Sequence, residues 1–265
     1  GLKCIGSGVA VDGERALVGA SYGSVAQGFG FCGEFAHTDQ YWLARTELVP
    51  ADAADNMEFG CAAAVAGDYA LVGARRATNA LGQAEGAAYV FWHDGTNWHQ
   101  QAKLTAPTQQ ANQEFGHAVE TDGRYALVSA PDSDSSEGNV ISYRRDGTAW
   151  VHHQSLPGAL VGIGRFGWDI GSDGTRAIFG SPLEYQGGQM NAGAAYVYLL
   201  DGTNWALEQR LAAAIPSFAM QLGTAVDIDH DWAVCGAPTE DAPIHQSGAV
   251  YLYRRVGSAW SQAFR

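Results

Sequence analysis

Phe59-Gly-Cys-Ala-Ala-Ala-Val-Ala-Gly-Asp-Tyr-Ala-Leu-Val-Gly-Ala74 is the stretch that decides the fold. An apolar-Gly signal opens it and a short apolar strand follows. Gly67-Asp68 then turns the chain, and Tyr69 to Ala74 returns antiparallel. The phrase occurs five times, as Ile5-Gly6 to Ala20, Phe59-Gly60 to Ala74, Phe115-Gly116 to Ala130, Phe166-Gly167 to Ser181 and Leu222-Gly223 to Ala237. Its signal glycines lie 54, 56, 51 and 56 residues apart. A period of that size is a whole supersecondary unit, not a helical heptad or a short solenoid turn.

Working outward from Ala74, the segment 75–86 reads as a loop and Ala87 to Phe91 as a third strand, rich in aromatic and β-branched residues. Asp94-Gly95-Thr96 is a hairpin turn, because Asp-Gly accepts the positive φ angles that a right-twisted hairpin needs. Trp98 to Leu104 supplies a fourth strand. The turn and its tryptophan recur at Asp146 to Trp150, Asp201 to Trp205 and Gly257 to Trp260. In the first repeat Asp39-Gln40-Tyr41-Trp42 replaces them and Phe35-Ala36-His37 shortens the third strand, so an irregular outer hairpin is expected there. A four-stranded sheet with two partly apolar faces cannot cover both alone, whereas a ring of such sheets covers each face with its neighbour. The expected fold is all-β: a five-bladed β-propeller, each blade a four-stranded antiparallel meander. One domain should span residues 1–265, with blades at about 1–56, 57–112, 113–163, 164–219 and 220–265.

Composition narrows the partners. The chain of 265 residues is 46% hydrophobic and only 16% charged, with 34 glycines, which suits short strands and many turns. Its net charge is -13 and its only lysines are Lys3 and Lys103, so nucleic acid and anionic membrane surfaces are disfavoured as partners. No apolar run approaches the roughly 18 residues that span a bilayer, and Gly1-Leu2-Lys3-Cys4 does not open as an export signal. Cys4, Cys32, Cys61 and Cys235 lack Cys-x-x-Cys spacing, which argues against structural zinc. They are either four buried thiols or two bridges, and Cys4 with Cys235 and Cys32 with Cys61 is the pairing that would tie repeats together.

These phrases resemble the FG-GAP repeats of integrin α-subunit propellers and of many secreted or surface proteins of bacteria and algae. The matching residues are Phe59-Gly60 with Val72-Gly73-Ala74, Phe115-Gly116 with Ala130-Pro131, Phe166-Gly167 with Gly180-Ser181-Pro182, and Leu222-Gly223 with Gly236-Ala237-Pro238. The resemblance implies a propeller and a secreted or cell-surface location. It also implies calcium in a long acidic loop between the first two strands of a repeat. Here that turn is only Gly67-Asp68, Asp122-Gly123 or an equally short equivalent, so those sites are not expected.

Variable loops on a repeated frame are the usual place for recognition. The loops between second and third strands carry Tyr22, Phe29, Phe31, Tyr185, Gln189, His245 and Gln246, which suit stacking on a sugar and hydrogen bonding to it. The residue after each signal differs in every copy (Ser7, Cys61, His117, Trp168, Thr224), and a ligand gripped between His117 and Trp168 is the sharpest reading of that set; plugging a channel is the plainer one. Asp132, Asp134 and Glu137 could bind one calcium ion or form a plain acidic turn. The repeated tryptophans Trp42, Trp98, Trp150, Trp205 and Trp260 read as packing between blades or as equal ligand sites. No nucleophile elbow, phosphate loop or zinc helix is present, although Asp132, Glu184 and Glu240 are carboxylates that a glycoside hydrolase or lyase would use. The expected function is a non-catalytic recognition module for carbohydrate or protein, with no resident cofactor unless that calcium ion. Self-assembly into a filament or surface layer is the alternative.

Overall fold

The protein is described by a computed structural model at residues 5–21, 30–38, 40–158, 163–241 and 247–265. Its strands form five four-stranded antiparallel meanders. The first holds β1 (Ile5–Asp12), β2 (Arg15–Ala20), β3 (Phe31–His37) and β4 (Trp42–Leu48), and the second β5 (Phe59–Ala66), β6 (Tyr69–Ala74), β7 (Ala87–His93) and β8 (Trp98–Leu104). The third holds β9 (Val119–Thr121), β10 (Tyr125–Ala130), β11 (Asn139–Asp146) and β12 (Ala149–Pro157). The fourth holds β13 (Ile170–Ser172), β14 (Arg176–Ser181), β15 (Ala194–Asp201) and β16 (Asn204–Leu211), and the fifth β17 (Ala225–Asp229), β18 (Trp232–Ala237), β19 (Ala249–Val256) and β20 (Ala259–Phe264). This is the expected five-bladed β-propeller class. The chain divides into two compact units, residues 1–130 with 141–153, and 131–140 with 154–265.

The outer hairpin of the first sheet is more regular than its sequence suggests. β3 and β4 have seven residues each, as β7 and β8 do, and His37 pairs with Trp42 across the turn. The backbone of Thr38 bonds that of Tyr41, and the Thr38 hydroxyl closes the same turn, doing the work of the missing Asp-Gly.

The apolar-Gly signal is a joint between neighbouring sheets. Phe59 forms an isolated parallel bridge to Gly30, at the start of the preceding sheet's third strand. Gly60 has φ +85°, and a Cβ there would meet the Phe31 carbonyl oxygen at 2.3 Å. The Gly60 carbonyl in turn sits 2.0 Å from where a Gly19 Cβ would lie. Glycine is therefore required on both sides of the contact. Gly73 meets Gly116, and Gly180 meets Gly223, in the same way.

Behind each joint lies a core. Leu17, Cys32 and Leu48 of the first sheet pack with Phe59, Val65, Ala70 and Val72 of the second. The Phe59 ring is fully buried and meets Tyr89 and Phe91 edge-on at 5.6 and 6.2 Å. Burial of a ring this size contributes about 1.5–3 kcal/mol. In the other unit Ile178, Val197 and Leu211 pack with Val226, Ile228, Tyr251 and Trp260.

Candidate functional site

The loop-end residues singled out in the sequence are mostly tied into local networks. Tyr22, Phe29, His245, Gln246 and Cys4 lie outside the described residues. Phe31 is the first residue of β3, not a loop residue. Tyr185 is exposed beside a tight turn closed by Gln186 and Gln189. His117 Nδ1 lies 3.0 Å from Glu114 Oε2 and 3.5 Å from Arg75 Nη1, while Glu58 receives Nε of Arg75 at 2.7 Å and of Arg76 at 2.8 Å. The His117 hydrogen bond, reinforced by the arginines, holds the Glu114 carboxyl below its ordinary range despite partial burial. Trp168 carries the Arg165 guanidinium 5.1 Å above its ring, and that guanidinium also pairs with Asp132 at 2.9 Å.

Arginine also meets the other carboxylates weighed for catalysis. Glu184 is buried and accepts the Tyr196 hydroxyl at 2.6 Å and Arg210 Nε at 2.7 Å. Glu240 repeats the arrangement with Tyr251 and Arg265. Burial, then Glu240, pushes the Tyr251 hydroxyl up to about 12, so it stays a donor. Asp132, Glu184 and Glu240 thus each serve a structural ion pair. Asp132 stands beside Asp134 in a short turn where Asp134, Ser135 and Ser136 all have left-handed backbones. Among the described residues no group of three or more His, Cys, Asp or Glu side chains is arranged to hold a metal ion.

Cys32, Cys61 and Cys235 are free thiols, so of the two readings weighed for the cysteines the Cys32–Cys61 bridge is not the one formed. Cys61 instead donates to the Gly116 carbonyl at 3.3 Å. Burial pushes Cys61 up to about 11 and Cys32 and Cys235 up to about 12, so all three stay protonated thiols near neutral pH.

A different place breaks the repeat. In β8, β16 and β4 a register shift leaves one bulged residue, Gln101, Glu208 and Arg45 respectively, and the first two reach the next sheet. Gln101 accepts the indole N–H of Trp150 at 2.8 Å, and Glu208 accepts that of Trp260 at 3.0 Å. These tryptophans therefore pack and bond between sheets. In the first sheet the bulge is Arg45, which has no acceptor atom. Among the described residues, the buried indole N–H of Trp98 has no hydrogen-bond partner.

A cleft of about 510 Å³ is lined by the turns of the first two sheets, with Arg15 and Arg45 in its lining. Asp12, Glu14, Glu34 and Asp68 face Arg15 and Arg45 there, with His93 at the rim. Arg15 organises the floor. Its guanidinium sits 5.0 Å from the Trp98 ring centre, 3.2 Å from Glu34 Oε1 and 3.8 Å from Asp68 Oδ1, and donates to the Gly67 carbonyl at 2.7 Å. Asp12 accepts the Gly67 backbone N–H at 2.6 Å, which fixes the turn of the second sheet against that of the first. The cleft is at the hairpin-turn end of the sheets, opposite the second-to-third-strand loops where the sequence placed recognition. The signal that would have found it is the bulge residue, an acceptor in Gln101 and Glu208 and a donor in Arg45.

Repeated four-stranded meanders locked by apolar-Gly joints define a β-propeller assembled from blade repeats. The profile of the FG-GAP repeat matches residues 42–91, 98–143 and 205–253, more than half of the chain. The chain belongs to the FG-GAP repeat family. Its fold is similar to the solved structure of YjhT, with a TM-score of 0.55 over 97% of this chain and 83% of that chain at 14% identity. No curated protein matches its sequence.

Proposed function

We propose that this propeller is a non-catalytic recognition module that binds carbohydrate in the cleft between its first two sheets. The observation that carries the reading is a cleft whose lining Arg15 guanidinium lies over the Trp98 ring, where the buried Trp98 N–H has no partner among the described residues, in a joint whose equivalents are closed by Gln101 and Glu208. A buried donor left unpaired costs about 1–3 kcal/mol, and retaining that cost suits a place where a ligand supplies the acceptor. Sugar hydroxyls match the rest of the lining. Carboxylates of Asp12 and Asp68 accept from them, and the guanidinium groups of Arg15 and Arg45 donate to them. With four carboxylates against two guanidinium groups, neutral or amino sugars are favoured over acidic ones. The family resemblance supports a secreted or cell-surface location for such a module.

A glycan array followed by calorimetry tests this. Binding of a neutral or amino sugar that falls at least tenfold in Asp68→Asn, about 1.4 kcal/mol, is the expected result. Absence of any sugar binding at millimolar concentration removes the reading.

A further inference from the structure

We propose that Arg75 and Arg76 hold the carboxylate of a small acidic ligand at the loop end of the second sheet, with Glu114 as a built-in competitor for the same guanidinium groups. The repeat shows that the turn they occupy needs neither of them. In the fourth sheet the chain leaves β14 through Pro182-Leu183, and the backbone N–H groups of Leu183 and Glu184 donate to the Gly164 and Ser181 carbonyls at 3.2 and 3.3 Å. In the second sheet Arg76 and Ala77 donate in the same way to Met57 and Ala74, at 3.1 and 2.9 Å. The third and fifth sheets also continue with proline, Pro131 and Pro238, at the place of Arg75. The same backbone bonds thus close the turn with an apolar pair, and two adjacent guanidinium groups are an addition found in the second sheet.

The carboxylates around the pair do not saturate it. Buried Glu58 takes Arg75 Nε on one oxygen at 2.7 Å and has Arg76 Nε 2.8 Å from the other, so one carboxylate answers two guanidinium groups. The second carboxylate in reach, Glu114, stays 3.8 Å from Arg75 Nη1 and 3.9 Å from Arg76 Nη2, beyond hydrogen-bonding distance of both. His117 holds it back, with Nδ1 3.0 Å from Glu114 Oε2. Both guanidinium groups therefore present Nη atoms to a carboxylate that does not bond them, and the Arg76 side chain is 51% exposed. Guanidinium forks take a planar carboxylate through parallel N–H···O bonds. With Glu58 cancelling one of the two charges, the single charge left suits a monoanionic carboxylate better than a phosphate dianion, the more so on a chain of net charge -13. Asp68 and the polar cleft lie before β6 and the arginines after it, so this site is separate from the carbohydrate cleft and does not rest on that reading.

Calorimetric titration with glucuronate, N-acetylaspartate and inorganic phosphate tests the proposal. At least one of the two carboxylates should bind, and which of them binds more tightly tells an acidic sugar from an acidic amino acid as the source of the group. Phosphate should bind more weakly than either. Arg76→Gln should weaken the carboxylate about tenfold, the scale of one charge-assisted pair. Glu114→Gln keeps an acceptor oxygen for His117 but removes the competing charge, and should tighten binding about threefold, an outcome that a purely structural ion-pair network does not give. Asp68→Asn, which alters only the cleft, should leave it unchanged. Circular dichroism verifies that each variant folds, and Glu114→Gln decides the matter should Arg76→Gln not fold. No binding of either carboxylate at millimolar concentration, phosphate binding as tightly as they do, a folded Arg76→Gln protein that binds like wild type, a Glu114→Gln protein that binds no more tightly, or loss of binding in Asp68→Asn would overturn it.

Discussion

In the joint between the fourth and fifth sheets, Arg176 presents Nε and Nη2 to Glu208 at 2.8 and 3.2 Å, and the same carboxylate takes Arg255 at 3.2 Å and the Trp260 indole at 3.0 Å. In the joint between the first and second sheets, Arg15 occupies the equivalent place after the turn and Trp98 the equivalent tryptophan. The bulge between them is Arg45, so no carboxylate arrives from β4. Arg15 turns instead to Glu34 on β3 and to the Gly67 carbonyl, and a cleft remains. One position, acceptor or donor, separates a closed structural joint from an open polar one. Burial disfavours the charge on Glu208, but hydrogen bonds from Arg176 and Trp260 outweigh that, and its carboxyl sits below the ordinary range.

Breaking the backbone contact common to both joints should have the largest effect. Gly180→Val places side-chain atoms where the Gly223 carbonyl already lies 2.0 Å from the Cβ position. It is expected to cost more than about 4 kcal/mol and to abolish cooperative unfolding of the fourth and fifth sheets. Next comes the closed joint itself. Glu208→Gln leaves Arg176 and Arg255 without their shared counter-charge and should destabilise by about 3 kcal/mol in urea unfolding. Because the folded Glu208 carboxyl is depressed, its stabilisation is present above the unfolded carboxylate range near pH 4.3 and is lost as pH falls through the folded value. The wild type should therefore lose stability on acidification below about pH 4.3 more steeply than Glu208→Gln. The smallest change sharpens the open joint. Arg45→Gln offers Trp98 the acceptor that Gln101 gives Trp150, and should stabilise the protein by about 1 kcal/mol while weakening sugar binding. Loss of binding with gain of stability is the pattern of a site held open for function.

The fold was legible because its most demanding contacts need glycine, and glycine at a joint leaves a fixed mark in the sequence. Gly19 with Gly60, Gly73 with Gly116 and Gly180 with Gly223 explain why the signal and the strand-two glycine recur together. The cleft was hidden because its decisive residue is defined by pairing. Arg45 looks like an ordinary outer-strand residue until the bulge in β4 aligns it with Gln101 and Glu208. His117, Glu184 and Glu240 were visible as chemically capable residues, but their partners Arg75, Arg210 and Arg265 come from distant strands and loops, so sequence separation concealed the pairing.

Central to this account is the Trp98 indole N–H as the unsatisfied donor that a ligand completes. Its nitrogen-proton resonance, assigned by loss in Trp98→Phe, can be followed while the best array sugar is titrated in. A progressive downfield shift that saturates with calorimetric binding, with the Trp150 and Trp260 indoles unmoved, is predicted. Sugar binding that leaves the Trp98 resonance in place would contradict the account.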